Sequence, residues 1–252
     1  MRPNNTTAKA SLTERFSGLV WKVMVHRSGV LAVETRNIEL KQVLFSAYNY
    51  ITGETYFKEK GFKENWNLSL AFAGEENLIL IGYKHTETPE SKGVFSVNIK
   101  DGNIFWQKFD ISLNKIKDDA LQVYDPRIQP KKYSWINHKT AALIAEPNEV
   151  KVDSEIIFPE VDNSFVIPAF VEHGRLVGEL LILHFADKVF LSFHETEKGL
   201  LRQRIVVYQD DKVIIDDILI SGIQKLQPEA FFIHRNHLFY IRGKEEMVTY
   251  LV

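Results

Sequence analysis

Eight histidines are scattered through the 252 residues, and they are the side chains best suited to metal binding or proton transfer. His234 and His237 stand three apart in His234-Arg235-Asn236-His237, which brings two imidazoles to one hairpin tip. A metal centre needs at least a third donor, and the sequence signals none, so no metal is expected and turn polarity explains the pair more simply. His184 and His194 fall near the ends of adjacent strand-like runs, with Glu195 beside the second. On a shared face they would form an acid–base pair; the plainer reading, which we favour, makes both polar residues at strand ends. The acidic doublets Asp118-Asp119, Asp210-Asp211 and Asp216-Asp217 invite comparison with the paired carboxylates of glycoside hydrolysis. Neighbours on a strand point to opposite faces, however, so a doublet is not itself a dyad. Glu172-His173-Gly174 and Asn137-His138 are further polar loop tips.

Aromatic residues offer a second kind of contact. Trp21, Trp66, Trp106 and Trp135 could stack on sugars, although packing between sheets is the simpler role for at least three of them. Trp135, in Lys131-Lys132-Tyr133-Ser134-Trp135, lies beside two lysines and is the candidate for an exposed aromatic contact.

Other chemistries find no support. The 13 glycines fall singly and none builds a phosphate-binding loop, and a Gly-x-Ser-x-Gly nucleophile turn is missing. The sequence contains no cysteine, which excludes thiol catalysis, disulfides and cysteine-ligated zinc or iron–sulfur centres. No cofactor is expected. A net charge of -2 provides no overall basic field for nucleic acid or an anionic membrane, so neither is an expected partner. The opening residues carry no apolar signal core and no run nears the length of a membrane helix, so a cytoplasmic protein is expected.

The elements that would hold these residues read as strands. Leu19–His26, Gly29–Thr35, Gln42–Tyr50 and Glu54–Glu59 form one group; Trp66–Ala73, Asn77–Lys84, Gly93–Ile99 and Asn103–Phe109 form another. Each run is rich in Val, Ile, Phe and Tyr and is bounded by Gly, Asn, Asp or Pro, the pattern of short strands. Glu14 with its neighbours and Ile223–Glu229 read as single helical turns. Residues 1–11 are polar and aperiodic and are expected as a flexible tail preceding one domain over 12–252. In the later chain, Arg175–His184, Lys188–Glu195, Leu200–Tyr208 and Lys212–Ile218 form a third group, and Ala230–His234, His237–Arg242 and Glu246–Leu251 supply three more strands. Leu12–Leu19 could complete that last set. Residues Asp110–Val171, interrupted by five prolines, are the irregular part.

The first two groups repeat each other: Asn49-Tyr50-Ile51-Thr52-Gly53-Glu54 and Asn98-Ile99-Lys100-Asp101-Gly102-Asn103 pass through the same kind of turn. A period of about 45–50 residues made of four strands is that of a propeller blade, because one such sheet cannot bury both faces alone. The stretch Val94 to Trp106, with its Asp101-Gly102 turn followed by Phe105-Trp106, resembles the repeat of quinoprotein-type (PQQ-like) β-propellers. Val43 to Phe57 is similar, with Phe57 in place of the tryptophan. The likeness also extends, more loosely, to short bacterial propeller-like families of unknown function. It implies blade-like hairpins; the quinone cofactor of the larger family is not carried over, since its pocket uses vicinal cysteines. The expectation is therefore an all-β propeller of four-stranded blades, about twenty strands and hence five blades, six being the alternative. The N- and C-terminal strands would share one blade and close the ring. Function is expected to be a non-enzymatic platform for a protein or small-molecule ligand. The alternative is a hydrolase or lyase, sugar-acting by analogy, with a polar site at the mouth of the central channel.

Overall fold

The computed structural model describes residues 8–63, 66–83, 91–117, 120–148 and 156–252. Among them are strands in five antiparallel sheets and no helix. The chain divides into two compact units, Phe16–Asp153 and a second composed of Met1–Arg15 with Ser154–Val252. The first strand, β1 (Leu12–Arg15), belongs to the second unit.

In the first unit, β2 (Leu19–Val25), β3 (Val30–Asn37), β4 (Gln42–Asn49) and β5 (Thr55–Lys60) form an up-and-down meander. A second is made by β6 (Leu68–Ala73), β7 (Asn77–Tyr83), β8 (Ser91–Asn98) and β9 (Ile104–Lys108). The third consists of β10 (Ser112–Lys117), β11 (Ala120–Tyr124), β12 (Tyr133–Asn137) and the two-residue β13 (Leu143–Ile144). Inner strands are apolar on both faces while outer strands are not. Along β4, Val43, Phe45 and Ala47 face Leu70 and Leu80 of the next sheet, and the residues between them are buried on the other side. Burial of a side chain such as Phe45 contributes about 1.5–3 kcal/mol relative to exposure. Ile79 and Val94 likewise pack against Leu121 and Val123, so successive sheets of this unit meet face to face.

One turn recurs three times. After β4, Gly53 N–H returns to Asn49 O at 2.8 Å and the Asn49 side chain accepts from Ile51 and Thr52. After β8, Gly102 N–H returns to Asn98 O at 2.8 Å; after β12, Ala141 N–H returns to Asn137 O at 2.9 Å. The last position of the turn has φ of 76°, 66° and 58° at Gly53, Gly102 and Ala141. The third copy escapes notice in the sequence because alanine holds the left-handed position that glycine holds in the other two.

The second unit contains β14 (Ile156–Ile157) and β15 (Glu160–Val161), then the long strands β16 (Arg175–Phe185), β17 (Lys188–Glu197), β18 (Leu200–Gln209) and β19 (Lys212–Ser221). It ends in β20 (Phe231–His234), β21 (His237–Arg242) and β22 (Glu246–Leu251). β14 adds to the edge of β20 and β15 to the edge of β16, so one short segment joins both sheets. Phe190, Ile205 and Val207 of one sheet pack against Ile233, Leu238 and Val248 of the other.

β1 pairs antiparallel with β22, Leu12 opposite Thr249 and Arg15 opposite Glu246, so the first and last strands share a sheet. Glu14 therefore lies in a strand and not in a helical turn: the edge of β22 takes up its backbone groups. Of the expected tail, residues 1–7 lie outside the described residues, while Ala8 N–H reaches Ile214 O and Ser11 N–H reaches Thr249 O. Residues 223–229 are irregular too, since Pro228 lacks the donor a helix needs and the Gln227 backbone bonds to side chains of the sheet. The irregular middle of the chain has two fates. Its first part forms the sheet β10–β13; its last part, residues 162–174, is a strap whose Phe165, Ile167, Phe170 and Val171 cover Leu191 and Val206.

Candidate functional site

The antiparallel register separates the residues proposed as an acid–base pair. His184 lies opposite Val189 and His194 opposite Val177, at the two ends of the β16–β17 ladder and on opposite faces. His184 is exposed beside Phe165, whereas His194 is 5% exposed and its Nε2 accepts the Gln227 N–H at 3.0 Å. His234 and His237 are directly opposed across a two-residue turn, but both are buried, at 1% and 7% exposure, inside the hairpin. Among the described residues no group of three or more His, Asp or Glu could hold a metal ion. The tryptophans exchange expected roles. Trp135 is 7% exposed, flanked across the sheet by Gln122 and Ile144 with Lys115 Nζ 5.2 Å over its ring. One of its neighbours, Ile144, belongs to the two-residue β13, too short to be read from sequence. Trp21, expected in packing, is 59% exposed and stacks on Arg36, whose guanidinium also lies 5.4 Å from the Trp66 ring.

Several of the remaining candidates converge on β17–β19. Glu195 is fully buried on β17. Its Oε1 receives Arg202 Nη2 at 2.5 Å and lies 3.6 Å from Arg204, while Oε2 receives the backbone N–H of Gly174 at 2.5 Å. Arg204 places Nε and Nη2 on the two oxygens of Asp216, each at 2.6 Å, and Nη1 on Glu172 O at 2.7 Å. Burial opposes the charge of Arg204, but Asp216 and Glu195 outweigh it and hold its pKa above the ordinary arginine value. The Glu172-His173-Gly174 turn is thus the strap's end, tied to the sheet by an acid and an arginine. Only glycine fits at 174, because a Cβ there would stand 2.6 Å from Thr196 O. Asp217, on the opposite face from Asp216, accepts Tyr240 Oη at 2.7 Å, and Arg242 lies 3.2 Å away. Burial first, then the charge of Asp217, pushes the Tyr240 hydroxyl far up its range. The doublet is therefore two separate ties. Asp210-Asp211 is the β18–β19 turn itself, and Asp118-Asp119 lies outside the described residues.

A matching centre in the first unit was not foreseen. Glu34 on β3 is fully buried; its Oε2 accepts the Leu70 N–H at 2.7 Å and the Ser69 hydroxyl at 3.0 Å, and Oε1 accepts Arg36 Nε at 2.8 Å. Lys22 Nζ reaches Ser69 and Leu70 O beside it. The pair Glu34-Thr35 and the pair Glu195-Thr196 occupy the ends of corresponding strands, β3 and β17, and that shared Glu-Thr is the signal available in the sequence.

Chemically, both glutamates turn both oxygens to the chain's own donors and are wholly buried. A general base needs a lone pair that its substrate can reach, and neither acid is accessible from solvent in this arrangement. The arrangement binds segments of chain together.

Residues 25–106, less than half of the chain, match a family model described as a domain of unknown function, DUF4905. The match runs from the end of β2 into β9, the part that carries the first two Asn turns. No curated protein matches the sequence. Among solved structures, one described as the eukaryotic initiation factor is 12% identical over 94% of this chain and 55% of its own, with a TM-score of 0.34. Another, the polysaccharide lyase Uly1, is 11% identical over 91% of this chain and 57% of its own, with a TM-score of 0.21. The chain spans little more than half the length of either, and at these scores neither likeness bears on fold or activity. No helix among the described residues is long and apolar enough to cross a membrane.

Proposed function

We propose that this chain is a non-enzymatic platform for a protein or small-molecule ligand, built as a five-bladed propeller whose terminal strands share one blade. The observation that carries the functional reading is the complete burial of these acids against the chain's own donors. Glu195 holds Arg202 and the Gly174 N–H, and Glu34 holds Arg36 and the Leu70 N–H, so the best-placed carboxylates serve the fold. Apolar side chains that stand in solvent on the segment after β14 offer a contact surface: Phe158 is 62% exposed and Val166 83%. The propeller reading is supported by the four-stranded meanders and by their face-to-face packing within each unit. A net charge of -2 supports a partner other than nucleic acid or membrane, and the cysteine-free sequence supports a cytoplasmic location.

The test is direct. Purified protein is incubated with neutral and uronate-containing oligosaccharides and with chromogenic glycosides and esters, and product is followed by mass spectrometry and absorbance. No product above the protein-free control is expected. Turnover that disappears in a Glu195→Gln or a His194→Gln variant would instead establish an enzyme and overturn the platform.

A further inference from the structure

The connection between β19 and β20 lies over the sheet and is not part of it. Residues 222–230 are mostly solvent-exposed and form no strand, yet the ring beneath them, His194, is almost fully buried. Both ends of the connection are fixed. Gly222 and Ile223 donate their N–H groups to Leu201 O at 2.9 and 3.2 Å, and Phe231 is buried in β20. Between those ends the attachment rests on a cross-strand pair. His194 and Gln203 are directly opposed in the β17–β18 ladder. His194 Nε2 accepts the Gln227 N–H at 3.0 Å, while Gln203 Nε2 donates to Gln227 O at 3.3 Å and Glu229 O at 3.2 Å. Leu226 supplies an apolar seat above Gly178, at the point where the β16 register shifts; a Cβ on that glycine would lie 2.6 Å from Leu226 Cδ1.

The two latches differ in one respect. An amide donates at any pH, but Nε2 accepts a hydrogen bond only while the imidazole is neutral. Protonation turns the acceptor into a donor facing another N–H and places a charge in a buried site. We propose that residues 222–230 are a pH-sensitive flap, closed by neutral His194 and released when that ring is protonated.

The carboxylate that shares this face of the sheet, Asp217 of β19, is already engaged by Tyr240 and Arg242. Glu195, Arg202 and Arg204 adjoin His194 and Gln203 in sequence but point to the other face of the sheet. On the facing side, β16 presents Val177 opposite His194 and Arg175 opposite Thr196, a cation that disfavours a second positive charge. Glu179 stands exposed within the β16 irregularity, and the flap's own ionisable side chains, Lys225 and Glu229, are exposed. Burial holds the His194 pKa below the ordinary histidine value in the closed form. The direction follows from linkage. The open form binds a proton at the ordinary value of about 6.5, so below it acid favours opening, by up to about tenfold per pH unit. The effect levels off once pH falls beneath the lowered value of the closed form.

Hydrogen exchange read by mass spectrometry at pH 7.5 and 5.5, corrected for the intrinsic pH dependence of exchange, tests this on the full chain. Peptides over 222–230 should lose up to about tenfold in protection at the lower pH, while β17 and β18 keep theirs. His194→Gln, whose amide oxygen accepts at either pH, should show no pH dependence in these peptides. His194→Phe, with no acceptor, should exchange rapidly at both. Unchanged wild-type protection, an equal acid-induced loss in His194→Gln, full protection in His194→Phe, or a loss spread over β16–β19 would each overturn the flap.

Discussion

Glu34 and Glu195 are both wholly buried, and each accepts from an arginine and from a backbone N–H of a segment that must be held in place. Taking a carboxylate out of water costs several kcal/mol, which the paired donors offset but do not greatly exceed. Such a residue therefore adds little net stability while intact and a large penalty when cut. Glu34→Ala should lower unfolding stability by about 3–5 kcal/mol, because Arg36 and the Leu70 N–H lose their partner. Arg15→Ala removes an ion pair to Glu245 in which the arginine side chain is 76% exposed, and should cost no more than about 1 kcal/mol. Urea titration of the two variants beside wild type measures the contrast, and equal losses would refute the tie. Glu195 was visible in the sequence as an acid next to a histidine, but its tie to the strap was not. Adjacent strand residues face opposite ways, so Glu195 meets the strap while His194 meets the flap.

At the scale of elements, the three Asn turns show how local chemistry sets a hairpin. The first two were legible because Asn, Gly and the spacing between them recur; the third was hidden by Ala141 at φ 58°. Gly102→Ala should cost about 1–2 kcal/mol for the left-handed backbone, with Lys60 Cδ, 2.5 Å from the new Cβ, having to move as well. The reverse change is different in kind. Ala141→Gly relieves that backbone penalty of about 1–2 kcal/mol but adds about 0.4–1 kcal/mol of chain entropy and loses a buried methyl worth about 0.8 kcal/mol. Its net effect should be within about 1 kcal/mol of zero, because the opposing terms are of the same size. Thermal unfolding of both variants decides the matter: a large loss in Ala141→Gly would mean that the third turn does not share the backbone logic of the first two.

For the whole molecule, the pairing of β1 with β22 joins residues more than two hundred positions apart in sequence. Leu12 is 5% exposed and Ser11 Oγ lies 2.6 Å from Thr249 Oγ1, so this edge is packed as well as hydrogen-bonded. Leu12→Ala should cost about 2–5 kcal/mol, as for a leucine truncated in a core. Hydrogen exchange should show protection lost first in β22 and β21; unchanged protection in those two strands would contradict the packing of this edge. The strand content, the Asn-Gly turns and the lack of cysteine were written in the sequence, because periodicity, turn preference and composition are local properties; the sharing of a sheet by the two ends was expected only from the count of strands, three in the last group where a blade needs four. Three features were decided only by tertiary structure: which face of β17 each of His194 and Glu195 occupies, the burial of Trp135, and the cover of one sheet by a strap of irregular chain. Each depends on register or on packing between segments distant in sequence, and a shift of a single residue in a strand would have reversed the first of them.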